Sequence, residues 1–179
     1  MVLFNPRIVS SALIITFLLL TIGLVYSLSV ETHDSLKGVV QEKLIAVAST
    51  TASQIDGDAH ARLAPGDEES VDYLTLRDQL RSVRDASGDI RYIYTMRLNG
   101  GIVEFVVDAD YGTDPDTPLI GTVYPEAGPE LRAGFSGPSA DREFTTDEWG
   151  TVLSGYAPIR NRQGTVVGLV GVDMDSTVV

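Results

Sequence analysis

The stretch that decides the fold is IRYIYTMRL (Ile90–Leu98), followed by Asn99-Gly100-Gly101 and IVEFVV (Ile102–Val107). Both apolar runs are rich in β-branched and aromatic residues, and the first alternates in polarity, as a half-buried strand does. Asn-Gly supplies the positive φ angles of a two-residue hairpin turn. The sequence therefore predicts a β-hairpin at residues 90–107.

A second hairpin is predicted near the carboxyl end, where TVLSGYAPIR (Thr151–Arg160) and TVVGLVGVDM (Thr165–Met174) flank a turn at 161–164. A loop rich in Pro, Gly and Asp at 108–124 and a short helix at 129–135 join the two hairpins. With a short strand near 142–144, about five antiparallel strands are expected.

Two helices are predicted ahead of the sheet. From 31 to 55 an apolar stripe recurs at spacings of three and four, and it consists of Leu36, Val40, Leu44, Val47 and Ile55. This stripe packs either on its own domain or on the same helix of a second subunit, as a homodimer. Residues 73–86 form the second amphipathic helix, which ends at Ser87-Gly88. The order of elements predicts an α+β domain with one twisted antiparallel sheet.

Between these helices, Asp56, Asp58 and His60 lie close together in sequence. They invite a metal site, but three ligand candidates are few for one. On a helix, Asp56 with His60 and Asp58 with Arg62 are i, i+4 pairs, the ordinary arrangement of a solvated face. We therefore expect no metal here.

Residues 8–30 contain no charged side chain. A helix of this length covers the roughly 30 Å hydrocarbon core of a bilayer, so we expect a single-pass anchor in the cell membrane. Arg7 ahead of the span favours a cytoplasmic amino terminus and a domain that faces the periplasm or exterior. A cleaved signal peptide is the alternative and would export the same domain.

Composition and length limit which partners the protein can bind and how many domains it can form. The net charge of −12 opposes nucleic-acid binding, and the absence of cysteine excludes disulfides and thiolate sites. The residues beyond the anchor suffice for one globular domain. The expected organisation is 1–30 cytoplasmic start and anchor, 31–55 membrane-proximal helix, 56–175 globular domain and 176–179 start of a possible exit segment.

Within residues 90–173 the motifs IRYIYTM, EFVVDAD, DEWGTVLSGYAPI and GTVVGLVGVDMD occur in this order. The arrangement resembles the extracellular Cache (PAS-like, PDC-type) sensor domains of histidine kinases, chemoreceptors and diguanylate cyclases. This resemblance implies a PAS-like fold and a small-molecule pocket on one face of the sheet, roofed by the loop and short helix between the hairpins. It also implies signal transduction by a membrane receptor, to which a kinase or cyclase module would belong in a longer protein.

On that basis, polar and aromatic residues near the expected pocket are candidate ligand contacts. They combine apolar walls with polar groups, as small-ligand sites require. The candidates are Tyr92, Tyr94, Asp108, Tyr111, Tyr124, Trp149, Ser154, Tyr156 and Asp173.

Asp173 is the strongest candidate, because a matching aspartate of amino-acid-binding Cache domains receives the ligand's ammonium group. The alternative role for Asp173 is to cap a following helix. Those domains also carry an Arg-x-Trp-Tyr element, whereas Val123-Tyr124-Pro125-Glu126 here lacks the arginine and tryptophan. The ligand class therefore stays open between organic acid, amine and amino acid.

No sequence motif favours an enzyme or a bound cofactor. Ser154 lacks the Gly-x-Ser-x-Gly context of a nucleophile, no phosphate-binding glycine loop is present, and Asp108–Asp116 fails the EF-hand pattern at Gly112 and Leu119. The expected function is extracytoplasmic small-molecule sensing by a single-pass or truncated receptor. The alternative is a membrane-anchored binding or interaction protein without its own transduction.

Overall fold

The computed structural model describes residues 6–147 and 149–178, without the side chains of 6–13, 29–35, 147 and 178. The chain divides into two compact units, with the division after Val39. Helix α1 (Pro6–Gln54) includes residues of both units. In the described part of the chain, no helix meets the length and apolarity that a bilayer crossing requires. The anchor expected at 8–30, parts of which lie outside the described side chains, is therefore not confirmed.

The second unit, Val40–Val179, contains one antiparallel sheet. Its strands are β1 (Ile90–Asn99), β2 (Ile102–Asp108), β3 (Ser139–Ala140), β4 (Thr145–Asp147), β5 (Gly150–Arg160) and β6 (Val166–Asp175). Five strands follow the order β2-β1-β6-β5-β3, and β4 also pairs with β5. Both predicted hairpins, β1–β2 and β5–β6, are confirmed.

The strand predicted at 142–144 is wrong. Ala140 pairs with Gly155 and Thr145 pairs with Val152, so the residues from 141 to 144 stand opposite only 153 and 154. The backbone N–H of Asp141 still donates to Ser154 (2.9 Å), but the extra residues must leave the ladder as an irregular bulge. Two short strands, β3 and β4, therefore replace the predicted one.

Three further helices surround the sheet: α2 (Gly57–Arg62), α3 (Val71–Ala86) and α4 (Pro129–Gly134). Local capping sets where they begin. The Asp56 carboxylate accepts from the backbone N–H groups of Asp58 and Ala59 (3.0 Å each), and the Ser70 hydroxyl accepts from that of Tyr73 (3.2 Å). The predicted helices at 73–86 and 129–135 are confirmed, and a 3₁₀ helix (Ser176–Val178) follows β6.

The two faces of the sheet are covered differently. On one face, the part of α1 beyond Val39 and helix α3 pack on the sheet, with Leu44, Ala48, Leu76 and Leu80 in the core. Leu44 is fully buried, and Val40 and Val47 pack against the same core, so this stretch of the predicted stripe packs on its own domain. The other face carries α4 and the segment between the hairpins, and an aromatic cluster lies there.

His60 does not lie on a solvated face, as its i, i+4 spacing from Asp56 had suggested. It is fully buried, and its Nε2 lies 3.0 Å from the Thr95 hydroxyl of β1. Burial beside the Arg97 charge lowers the pKa of His60 to about 4. The side chain is therefore neutral at physiological pH, and α2 is anchored to the sheet through it.

Candidate ligand-binding pocket

A pocket opens on the sheet face opposite α1 and α3, at the end of β2 where the chain enters the loop 109–124. Four strands contribute to its floor and the loop forms its rim. It is lined by Tyr92, Tyr94, Phe105, Asp108, Asp110, Asp114, Asp116, Thr117, Pro118, Tyr124, Trp149, Val152 and Asp173. Its cavity volume is ≈ 40 Å³, room for roughly three waters, so a larger ligand needs the rim to move outward.

One wall of the pocket is an aromatic box centred on Phe105. The Phe105 ring meets Tyr94, Tyr124 and Trp149 at centroid distances of 5.5, 5.7 and 5.6 Å, each edge to face. Aromatic rings have electron-rich faces and positive edges, which is why they pack edge to face. Such faces attract cations.

The floor carries Asp173, which is 7 % exposed. Its Oδ1 accepts a hydrogen bond from the Tyr94 hydroxyl (3.1 Å). Burial and the Asp173 charge raise the pKa of Tyr94 well above its usual value, so this hydroxyl stays protonated and keeps donating. In register, Asp173 lies between Tyr92 on β1 and Ser154 on β5.

Asp173 is therefore a strand residue within the sheet and does not cap a helix. Asp175 takes that position: its Oδ1 accepts from the backbone N–H of Thr177 (2.9 Å) in the 3₁₀ helix. The capping alternative for Asp173 is wrong because β6 continues through Asp175.

A second buried carboxylate, Asp108, lies at the end of β2. Its Oδ1 accepts from the backbone N–H of Asp110 (2.7 Å). Burial raises the pKa of Asp108 to about 7, against the opposing effect of that hydrogen bond. Asp108 can therefore gain or lose a proton near neutral pH.

Helix α3 holds the rim loop from behind. The Arg81 guanidinium donates to the carbonyl oxygen of Ala109 (2.8 and 3.0 Å) and to that of Tyr111 (3.0 Å). Arg84 forms an ion pair with Asp110 and a second with Asp85 (3.1 Å). The start of the loop is thus fixed by two arginines that do not line the pocket.

Six of the nine sequence candidates meet in this pocket, and they are Tyr92, Tyr94, Asp108, Tyr124, Trp149 and Asp173. Three lie elsewhere. Tyr111 is on the helix side of the loop, where its hydroxyl donates to Glu69 (2.9 Å) and its ring packs on Tyr73. Tyr156 is buried and donates to Asp141 (3.3 Å), and Ser154 lies beside Asp173 without lining the cavity.

Sequence reasoning missed Phe105, Val152 and the rim residues Asp110, Asp114, Asp116, Thr117 and Pro118 as site residues. A period of two within β2 and β5 places Phe105 and Val152 on definite faces, but only the sheet order brings those faces together. The aspartates of the rim are visible in the sequence as an acidic run. Within the described segments, no group of histidines and carboxylates is arranged to hold a metal ion.

Two solved structures with a similar fold are parts of bacterial receptors. The periplasmic sensory domain of the Campylobacter jejuni chemoreceptor Tlp1 is 12 % identical to this chain, with a TM-score of 0.53, over 83 % of this chain and 58 % of that one. An extracellular ligand binding receptor from Desulfohalobium retbaense is 15 % identical, with a TM-score of 0.54, over 80 % of this chain and 24 % of that one. This chain shares the fold of these receptor domains.

The resemblance in the sequence is thereby confirmed at the level of the fold. This chain spans a little over half of the first structure and about a quarter of the second. No protein-family model and no curated protein matches it. The sensor-domain fold places ligand contacts neither on particular residues nor with a particular ligand, so the chemistry of the pocket must be argued from its own side chains.

Proposed function

We propose that this protein is an extracytoplasmic sensor of a small organic cation, such as an amine or an alkylated ammonium ion. The observation that carries the proposal is the aromatic box around Phe105 in the same pocket as two buried carboxylates, Asp108 and Asp173. Aromatic faces attract ammonium groups, most strongly when water is excluded. A buried carboxylate adds a charge-assisted hydrogen bond or an ion pair.

This chemistry selects among the three ligand classes left open by the sequence. An organic acid would face Asp108, Asp173 and the acidic rim, and like charges repel more strongly in a poorly hydrated pocket. An amino acid would bring a carboxylate together with its ammonium group. The two arginines that hold the rim loop are already engaged, Arg81 by two backbone carbonyl oxygens of that loop and Arg84 by Asp110. An amine satisfies the pocket without such a clamp.

Membrane attachment belongs to the same proposal. The uncharged residues 8–30 anchor the chain, and the domain from Val40 onward faces the periplasm or the exterior. In that domain α1 is packed on the sheet through Leu44, so a ligand that favours one sheet arrangement can change the position of the helix. Residues 56–175 hold the sensing function in this scheme.

We also propose that a second copy associates through the outer side of the membrane-proximal helix. Leu36 and Val39 are 54 % and 64 % exposed, and they continue the apolar pattern of that helix. The double substitution Leu36→Glu, Val39→Glu should halve the mass of the full chain in analytical ultracentrifugation. An unchanged mass would remove this surface from the interface.

The central test is a comparison of isosteric probes. Isothermal titration of the full chain, in mild detergent at pH 8, with choline and with its uncharged isostere 3,3-dimethylbutan-1-ol separates charge from shape. We expect choline, tetramethylammonium or methylammonium to bind at least about tenfold more tightly than the neutral alcohol, since a desolvated cation–π contact contributes about 2 kcal/mol and a tenfold difference needs roughly 1.4. Equal binding of the two isosteres, or tighter binding of acetate, would contradict a cation site.

A further inference from the structure

Arg84 connects the outside of the sensor domain with the acidic rim of its pocket. It lies on α3, which packs on the opposite face of the sheet, and it does not line the cavity. Its side chain is only 17 % exposed, and that of its partner Asp110 is 22 % exposed. The ion pair is therefore largely shielded from water, where a charge acts on its neighbours more strongly than at the surface.

Asp110 links Arg84 to Asp108 through two contacts. Its carboxylate holds Arg84, and its backbone N–H donates to the Asp108 carboxylate. Hydrogen bonding to an ionised carboxylate favours the ionised form, and so does a nearby positive charge. The positive charge of Arg84 also lowers the pKa of Asp108, against burial and against the negative charges of Asp110 and Asp114.

We propose that Arg84 is a positioning residue for the pocket: it holds Asp110 in place beside Asp108, and its charge keeps Asp108 in the ionised form that a cationic ligand requires. This inference rests on the proposed cation-binding function. It adds a residue of α3, outside the cavity, that determines over which pH range the pocket is negatively charged.

Other charged and titratable groups lie near Asp108, and they must be considered together with Arg84. The rim loop contributes Asp110, Asp114 and Asp116, β1 contributes Tyr94, and β6 contributes Asp173. Helix α3 contributes the Tyr73 hydroxyl beside the Asp108 backbone and the Arg81 guanidinium, which donates to the Ala109 carbonyl oxygen. The carboxylates all disfavour a further negative charge at Asp108. Arg84 opposes them, so removing it should let Asp108 take up a proton at a higher pH.

The test is a pH titration of the full chain with Arg84→Gln. In protein labelled with ¹³Cγ-aspartate, the Asp108 resonance, assigned from its loss in Asp108→Asn, should titrate near pH 7 in the wild type. In Arg84→Gln the midpoint should move upward by roughly one pH unit, and Arg84→Lys should restore most of the difference. In each protein the affinity for tetramethylammonium should fall as the pH is lowered, with the same midpoint as the Asp108 titration of that protein.

Arg77→Gln is the matched control. Arg77 lies on the same helix, has a side chain 18 % exposed, and pairs with the next residue, Asp78, as Arg84 pairs with Asp85. It should leave the midpoint unchanged. Equal midpoints in wild type and Arg84→Gln would overturn the inference, because a merely structural role would alter stability without moving a titration. A shifted midpoint with no tetramethylammonium binding in any variant would contradict the cation site while supporting the role of Arg84.

Discussion

At the scale of single residues, the pocket depends on carboxylates that the sheet buries next to donors. Asp173 has the Tyr94 hydroxyl at 3.1 Å, and Asp108 has the Asp110 backbone N–H at 2.7 Å. A buried charge is costly unless it is paired and hydrogen-bonded. These donors help to compensate the burial of the two carboxylates.

Asp173→Asn tests this directly. Asparagine keeps the shape but removes the charge, so the affinity for a cationic probe such as choline should fall by about 10- to 150-fold, or roughly 1.5–3 kcal/mol, which is a substantial part of the roughly 4 kcal/mol attraction between two unit charges about 4 Å apart at a protein surface. Isothermal titration of both proteins at pH 8 measures the difference. A dissociation constant equal to that of the wild type would remove Asp173 from the site.

The matched control for this substitution is Asp175→Asn. Asp175 lies two residues further along β6, outside the pocket lining, where it caps the 3₁₀ helix and pairs with Arg91. Asparagine caps nearly as well as aspartate. Choline affinity should therefore stay within about twofold of the wild type, on the scale of a few tenths of a kcal/mol.

At the scale of elements, α1 packs very closely on β5 at Gly155. A Cβ atom at Gly155 would lie 2.6 Å from Leu44 Cβ and 2.7 Å from the Leu44 carbonyl carbon. Only glycine lets a helix backbone come this near to a strand. The absence of a side chain at Gly155 therefore sets how closely the membrane-proximal helix sits on the sheet.

Gly155→Ala should push α1 away from β5 and lower the free energy of unfolding by about 1–3 kcal/mol, as overpacking of a tight contact does. Urea denaturation followed by circular dichroism measures this change. Gly88→Ala is the control, because its added Cβ meets nothing within 4 Å, and it should cost little or nothing. Equal stability of the two variants would show that the helix can shift without cost.

At the scale of the whole molecule, buried ionisable groups with opposite effects set the pH dependence of stability. His60 has its pKa lowered to about 4, so the folded state binds fewer protons than the unfolded state below pH 6.5. The contribution of His60 to stability is therefore complete above pH 6.5 and is lost as the pH falls toward 4. Burial raises the pKa of Asp141 to about 6, so its contribution is complete below 3.8 and is lost as the pH rises through 6.

Two variants separate these contributions. As the pH falls from 7 to 4, the free energy of unfolding of His60→Gln should rise relative to that of the wild type by up to about 3 kcal/mol. The reason is that the variant has no imidazole to protonate on unfolding. The free energy of unfolding of Asp141→Asn should show the opposite pH dependence: it should rise relative to that of the wild type as the pH rises from 4 to 7. Urea unfolding at several pH values checks both. Parallel pH profiles for all three proteins would contradict the assignment of these groups.

Much of the local structure could be predicted because its causes are local. The alternation in Ile90–Leu98 and the Asn-Gly turn specify the first hairpin, and the period of three and four in 73–86 specifies α3. The prediction failed at 142–144, where the buried Asp141 and its contact with Tyr156 accompany a bulge. A long-range contact decided that segment.

The sequence by itself determined the two hairpins, the helices at 73–86 and 129–135, their order and the acidic character of the domain, since these follow from periodicity, turn chemistry and composition. Six residues of the pocket were expected from the resemblance of the sequence to Cache domains. Tertiary structure alone decided which of them meet. Phe105 is packed against Trp149, His60 reaches Thr95 across 35 residues of chain, and Arg84 reaches Asp110 across 26. Such pairs depend on strand order and on the packing of helices across the sheet, which no local pattern encodes. The pocket's charge and its control from α3 therefore follow from the fold.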